Sequence, residues 1–215
     1  MIHNWKTPAG LLGLLGLLLI SSCGPSVSIT GSWANPELAG KKKYKKIFIF
    51  AITSNMGARQ TIETDLQNAA AKEGVETIRS IDVLNPGFLA SKPGKEEVMQ
   101  RIKANGCDAI FTATLVDAKS ETRYVPGTTY APYSYGYYGS FGGYYGYHGA
   151  YMYDPGYYVN DQTYFIESNL YDMSNEALVW SVQSEAYNPS SLSSFSRDYT
   201  MTLFAQLKKD FVTGK

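Results

Sequence analysis

The chain has 215 residues, 44% of them hydrophobic, and its 19 basic and 19 acidic side chains balance to zero formal charge. That is enough apolar material for one domain with a core of its own, and the even balance excludes the basic surplus on which nucleic-acid binding leans. There are two histidines, one at position 3, which leaves little for metal or acid–base catalysis, and no cofactor is expected.

Lys6 and the amino terminus precede residues 11–20, an uncharged run dominated by leucine. A run of that length falls short of the ~20 residues a membrane-spanning helix needs but matches the apolar region of a signal peptide. Ile20-Ser21-Ser22-Cys23 follows at once. This tetrad resembles the lipobox of bacterial lipoproteins, which implies removal of residues 1–22 and acylation of Cys23, palmitate being a usual acyl group. Two or more acyl chains hold a protein stably on a bilayer, where one does so only marginally. Gly24 comes next, with no acidic residue before Glu37. In lipoprotein sorting that pattern resembles an outer-membrane destination, so the expected location is the outer membrane, lipid-anchored and facing the periplasm. With Cys23 acylated, Cys107 is left without a disulfide partner and is expected to be a buried, inert thiol.

Residues 23–45 are expected to serve as anchor and tether, because residues 24–40 are rich in Ser, Gly and Pro, although Trp33 interrupts that composition. Lys41, Lys42, Lys43, Lys45 and Lys46 form a basic cluster. It reads as a solvated lead-in to a strand, with contact to anionic head groups as the alternative.

The α/β domain is expected over residues 46–215. Residues 47–53 form a nearly continuous apolar run, as in a buried strand. Turn and capping residues at 54–57 open a helix that runs to about Lys72, with Ile62, Leu66, Ala69 and Ala70 on one face and Gly74 at its end. Arg59 and Glu63 lie one turn apart and can pair, a contact worth tenths of a kcal/mol on a helix surface. Residues 75–84 read as a strand, 85–94 as a Pro/Gly loop, 95–104 as a helix stopped by Gly106, and 108–116 as a strand able to continue to Val125. Two strands at 163–172 and 177–187 are joined by a tight turn, and a helix over 191–211 closes the chain. The expected fold is therefore α/β: a single domain of three-layer type, β-α-β-α-β then a β-hairpin then a C-terminal helix, on a mixed sheet.

That order resembles the small α/β domain found in the N-terminal part of the Tol-system translocation protein, in the curli-secretion lipoprotein and in the lipoprotein activators of peptidoglycan synthases. The wording of the sequence is similar to a family of uncharacterised bacterial outer-membrane lipoproteins. The matching stretches are Ser32-Trp33, residues 46–51, Arg59 with Glu63, residues 121–126, and residues 169–172 through 178–181. The resemblance spans nearly all of the chain after Cys23. It implies a fold and an envelope location, while one such fold serves many functions.

A Tyr/Gly-rich insert occupies residues 127–160, before the hairpin; twelve tyrosines fall between Tyr130 and Tyr158, and Asp154 is its one charged residue. Loops of this length are functional or disordered more often than idle. Three readings stay open: a low-complexity loop whose tyrosines pack on the domain, a recognition surface, and a hairpin that enters a membrane or assembles with its copies. For recognition, Tyr137, Tyr138, Tyr144, Tyr145 and Tyr147 are the candidate ligand-binding residues. Tyrosine offers a rigid apolar face with a polar tip, suited to a sugar ring or a protein pocket.

Phosphate-binding and nucleophile-elbow motifs do not occur in the sequence. Cys107 has no histidine partner except His148, inside the insert, and a lone histidine does not make a zinc site. Asp108 and Asp117 flank one strand-like run, an ordinary place for carboxylates. With no catalytic and no metal-binding residues to assign, the expected function is a non-enzymatic envelope lipoprotein, a binding or scaffold module. Its insert would contact an envelope protein, peptidoglycan or another glycan, and its membrane partner would be held through Cys23. The alternative is a self-associating subunit of an outer-membrane assembly or secretion channel.

Overall fold

A computed structural model describes residues 26–125 and 157–213. In chain order the elements are β1 (Val27–Ala34), β2 (Lys46–Ile52), α1 (Met56–Lys72), β3 (Glu76–Arg79), α2 (Ser80–Val83), α3 (Pro86–Ala90), α4 (Lys95–Ala104), β4 (Ala109–Val125), β5 (Tyr157–Asp172), β6 (Leu178–Tyr187) and α5 (Leu192–Thr213). Among the described residues the strands form one six-stranded mixed sheet in the order β1-β6-β5-β4-β2-β3. β3, β2 and β4 run parallel, and β4, β5, β6 and β1 pair antiparallel. The fold is the mixed α/β domain that the sequence implies.

Side chains alternate across the pleat, and each face has its own cover. Ile49, Ala109, Ala113, Ile166, Leu170, Trp180 and Val182 pack with Leu66 of α1 and with Tyr199 and Leu203 of α5. On the opposite face Phe48 and Ile110 meet Leu84, Phe88 and Ile102 of the α2–α4 region, together with Cys107. Among the described residues the second cover reaches the β3-β2-β4 half only, which gives three layers there and two over β5, β6 and β1. Trp180 is fully buried and donates its indole N–H to Asp210 on α5 at 2.8 Å.

Local chemistry sets the element ends. Asn55 accepts the Ala58 N–H as the N-cap of α1, Asn55 being extended and outside the helix. Gly74 and Gly106 end α1 and α4 with positive φ of 74° and 68°, where a Cβ is disfavoured. Ser191 caps α5 by accepting the Ser194 N–H at 3.1 Å.

Several boundaries differ from the sequence reading. Val27–Ala34 is strand β1, inside the stretch expected as a tether. The strand expected over 75–84 stops at Arg79, because Ser80 turns inward to bond with α1 and begins a helical turn. The loop expected over 85–94 contains α3, started by the Asn85 cap and Pro86. β4 does continue to Val125, and β5 begins at Tyr157, so residues 157–160 of the expected insert pair with 122–125 as strand.

Candidate functional site

The residues singled out from sequence, Cys23, Tyr137, Tyr138, Tyr144, Tyr145 and Tyr147, lie outside the described residues, as does His148. What the structure describes is the frame that carries them: the point where the chain enters the domain and the strand pair from which the insert departs.

Both are at one end of the sheet. β4 leaves β2 behind at Ile52 and, past the last β5–β6 pair at Thr163 and Tyr187, continues with β5 alone as a two-stranded ribbon from Ser120–Gln162 onward. A bulge at Val116, before the ribbon begins, shifts the register and adds local twist. Asp161, at the ribbon's base, ties it to the end of β6. Its carboxylate accepts Asn188 Nδ2 at 2.6 Å and Arg123 Nε at 3.3 Å, and hydrogen bonds from Tyr187 first, then Asn188, hold its pKa below the usual carboxylate value. Asn188 also exchanges backbone and side-chain bonds with Gln162. At the ribbon's far end Tyr124 and Tyr158 face each other across the pair with ring centroids 5.1 Å apart, and Tyr157 and Tyr158 are 63% and 74% exposed.

The chain enters beside this ribbon. Ser26 donates its N–H and its hydroxyl to Asp198 of α5, and its carbonyl accepts the Tyr187 N–H at 2.9 Å. Tyr187 pairs with Thr163, and Thr163 with Lys119. Ser26 therefore stands level with Lys119, and the ribbon runs six residue pairs further, from Ser120–Gln162 to Val125–Tyr157.

A crevice of about 410 Å³ opens at the same end, between the first turns of α1 and α5. It sits at the carboxyl end of β2, beside the middle of β4 at Ala113, Thr114 and Leu115. Ile52, Ile62, Leu115, Ile166 and Phe195 line it, with Thr53, Tyr164 and Ser191 at its polar points. Tyr199 at its floor is fully buried, bonds Ser168 at 2.5 Å and has its pKa pushed up by burial. The lining is aliphatic, aromatic and neutral.

The charged clusters elsewhere hold the fold together. Arg59 and Glu63 are 2% and 0% exposed, which corrects the expectation of a surface pair worth tenths of a kcal/mol. Glu63 accepts the Ala51 N–H at 3.0 Å, the Ile81 N–H at 2.9 Å and the Ser80 hydroxyl. Arg59 donates to Ser80 and to the Leu84 carbonyl at 3.0 Å. The cluster fastens α1 to β2 and α2. At the opposite end of the sheet from the ribbon, Asp172 accepts Lys42 at 2.6 Å, Tyr44 at 3.0 Å and Ser174. Burial pushes the Asp172 pKa up, and these hydrogen bonds outweigh it, so the carboxyl is held well below its usual range.

Asp108 accepts the N–H groups of Lys45 and Lys46 at the start of β2, while Asp117 bonds its neighbour Ala118. Nine residues of strand, ~30 Å, separate the two carboxylates, too far for joint acid–base work. The Cys107 thiol is buried, and burial raises its pKa. Among the described residues no group of three or more His, Cys, Asp or Glu side chains is placed to hold a metal ion.

No protein-family model matches the chain, and no curated protein matches it. Similar solved structures include a PelC dodecamer from Paraburkholderia phytofirmans, 14% identical with a TM-score of 0.43, covering 84% of this chain and 96% of that one. Lipoprotein GNA1162 from Neisseria meningitidis is 11% identical with a TM-score of 0.41, covering 77% and 99%. A PDZ domain protein from Parabacteroides distasonis is 10% identical with a TM-score of 0.38, covering 98% of this chain and 42% of that one. At such identities and scores a shared role does not follow.

Proposed function

We propose that the chain is a non-enzymatic, lipid-anchored envelope module of the outer membrane, which uses its Tyr/Gly-rich insert to bind a protein or glycan partner. The observation that supports this most is the sharing of one end of the domain by three features. Ser26, three residues after the expected acylation site, the ribbon that leads into the insert, and the crevice all lie there. The rest of the fold is a braced support for that end, with the buried Arg59–Glu63 pair and the Trp180–Asp210 bond holding helices to sheet. Within the Lys41–Lys46 cluster, Lys42 pairs with Asp172 and Lys46 with Glu76 at the opposite end, which favours its reading as a strand lead-in over head-group contact.

Photo-crosslinking in cells from a reactive amino acid at Tyr144 tests the reading, beside a variant lacking residues 127–156 with 125 and 157 joined by a short turn. A reproducible adduct to one envelope protein or glycan is expected, and that partner should no longer co-purify with the deletion variant. Adducts only to further copies of the chain would replace the reading with self-association, which the outer edge of β1 and the face of β5 and β6 that no other described element covers favour as the second possibility.

A further inference from the structure

The entry point of the chain limits how the domain stands on a membrane. If Cys23 carries the acyl chains, it is joined to Ser26 through Gly24 and Pro25, three steps of chain with a reach of at most ~11 Å. Ser26 is no loose end: Asp198 holds its N–H and hydroxyl, and Tyr187 holds its carbonyl. The ribbon end of the sheet is thereby kept within that reach of the lipid. The opposite end, with Lys42 on Asp172, is the length of β1 away, ~27 Å for its eight residues. An inverted domain, ribbon outward, would leave Ser26 beyond the reach of its own anchor.

The ribbon passes Ser26 by six residue pairs, up to ~20 Å along the strands. That overhang exceeds the link. A domain standing end-on brings the ribbon's far end into the head-group layer, and a domain lying on its side lays the ribbon along it. The residues that arrive there are Tyr124, Tyr157 and Tyr158, all exposed. Tyrosine is the residue type that settles at this depth, its ring among the first methylenes and its hydroxyl in the wet layer.

We infer that the ribbon end of this domain is a membrane-contact surface, with Tyr124, Tyr157 and Tyr158 seated in the head-group region of the bilayer that holds the anchor. The inference rests on the lipid-anchor reading, and it adds a second membrane contact beside the anchor.

The test uses the full acylated protein, reconstituted in phosphatidylethanolamine–phosphatidylglycerol vesicles. In a Cys107→Ala background, a polarity-sensitive fluorophore is placed by Tyr158→Cys or, at the opposite end, by Lys43→Cys; Tyr124→Cys serves as a second ribbon position should the first variant misfold. Lipids carrying a nitroxide near the head group are expected to quench the ribbon probes several-fold more than the probe at 43, and the ribbon probes should shift to shorter wavelength. Equal, water-like behaviour at 158, 124 and 43 in an acylated chain overturns the contact surface and leaves the anchor standing. An intact mass without acyl groups on Cys23 overturns the anchor and the orientation together.

Discussion

Ser26 gives both its backbone N–H, at 3.2 Å, and its hydroxyl, at 2.9 Å, to one carboxylate oxygen of Asp198, 172 residues later in the chain. The bond closes the domain at the point where the expected lipid anchor begins. It also converts a segment of tether composition into the first strand of the sheet. Removing the carboxylate should loosen that end without touching the core. Asp198→Ala is expected to cost about 1 kcal/mol and to speed hydrogen exchange at the Tyr187 amide, which reports on the Ser26 carbonyl. Unchanged exchange there would mean that β1 holds Ser26 unaided.

The Arg59–Glu63 pair should behave as a buried unit. Truncating one partner leaves the other charge without its counterpart in a dry site, so Glu63→Ala or Arg59→Met is expected to cost about 3–5 kcal/mol. The double variant Arg59→Met with Glu63→Ala should cost clearly less than the sum of the single changes, because the stranded charge is gone. Urea midpoints of the four proteins measure this, and strict additivity would show that the two residues act separately.

Asp172 ties stability to pH with a definite sign. Its folded pKa is depressed, by hydrogen bonds from Lys42, Ser174 and Tyr44 that outweigh burial. Its contribution is therefore complete above the unfolded carboxylate pKa of about 3.9 and is lost as pH falls through the folded value. Asp172→Asn should be less stable than the parent at pH 7, by about 1–2 kcal/mol. The gap should hold down to about pH 5 and close on further acidification. Denaturation midpoints between pH 2.5 and 7 would show it, and a gap that does not depend on pH would contradict the assignment.

Trp180→Phe keeps an aromatic ring in the core but withdraws the N–H from Asp210. The expected cost is about 1–3 kcal/mol, and Asp210→Asn, which still accepts the bond, should cost less. Thermal melts of the two variants make the comparison.

Much of the core frame was legible because its punctuation is local. Asn55 and Gly74 bracket α1, Gly94 and Gly106 bracket α4, and the hairpin turn after Asp172 separates two alternating runs. β1 is hidden in the sequence, because Ser28, Thr30 and Ser32 give an edge strand the composition of a linker. The alternation of Val27 and Ile29 with polar residues was the signal available, but the partner that makes it a strand, β6, lies about 150 residues away. The burial of Arg59 and Glu63 was hidden for a related reason. Their spacing shows that they share a face, and the apolar stripe through Ile62 and Leu66 draws the eye a few tens of degrees from the face that is buried, Arg59, Glu63, Leu66 and Ala70. The ribbon is half legible: the sequence lets β4 continue to Val125, but its return strand merges with the insert because Tyr157 and Tyr158 match the low-complexity run before them. That the ribbon and Ser26 share one end follows from strand order, which no local pattern carries.

The most direct test of the account is the intact mass of the protein extracted from cell membranes. The account predicts an amino terminus at Cys23 carrying a diacylglyceryl group with a further amide-linked acyl chain. A chain that begins elsewhere, or begins at an unmodified Cys23, would contradict it.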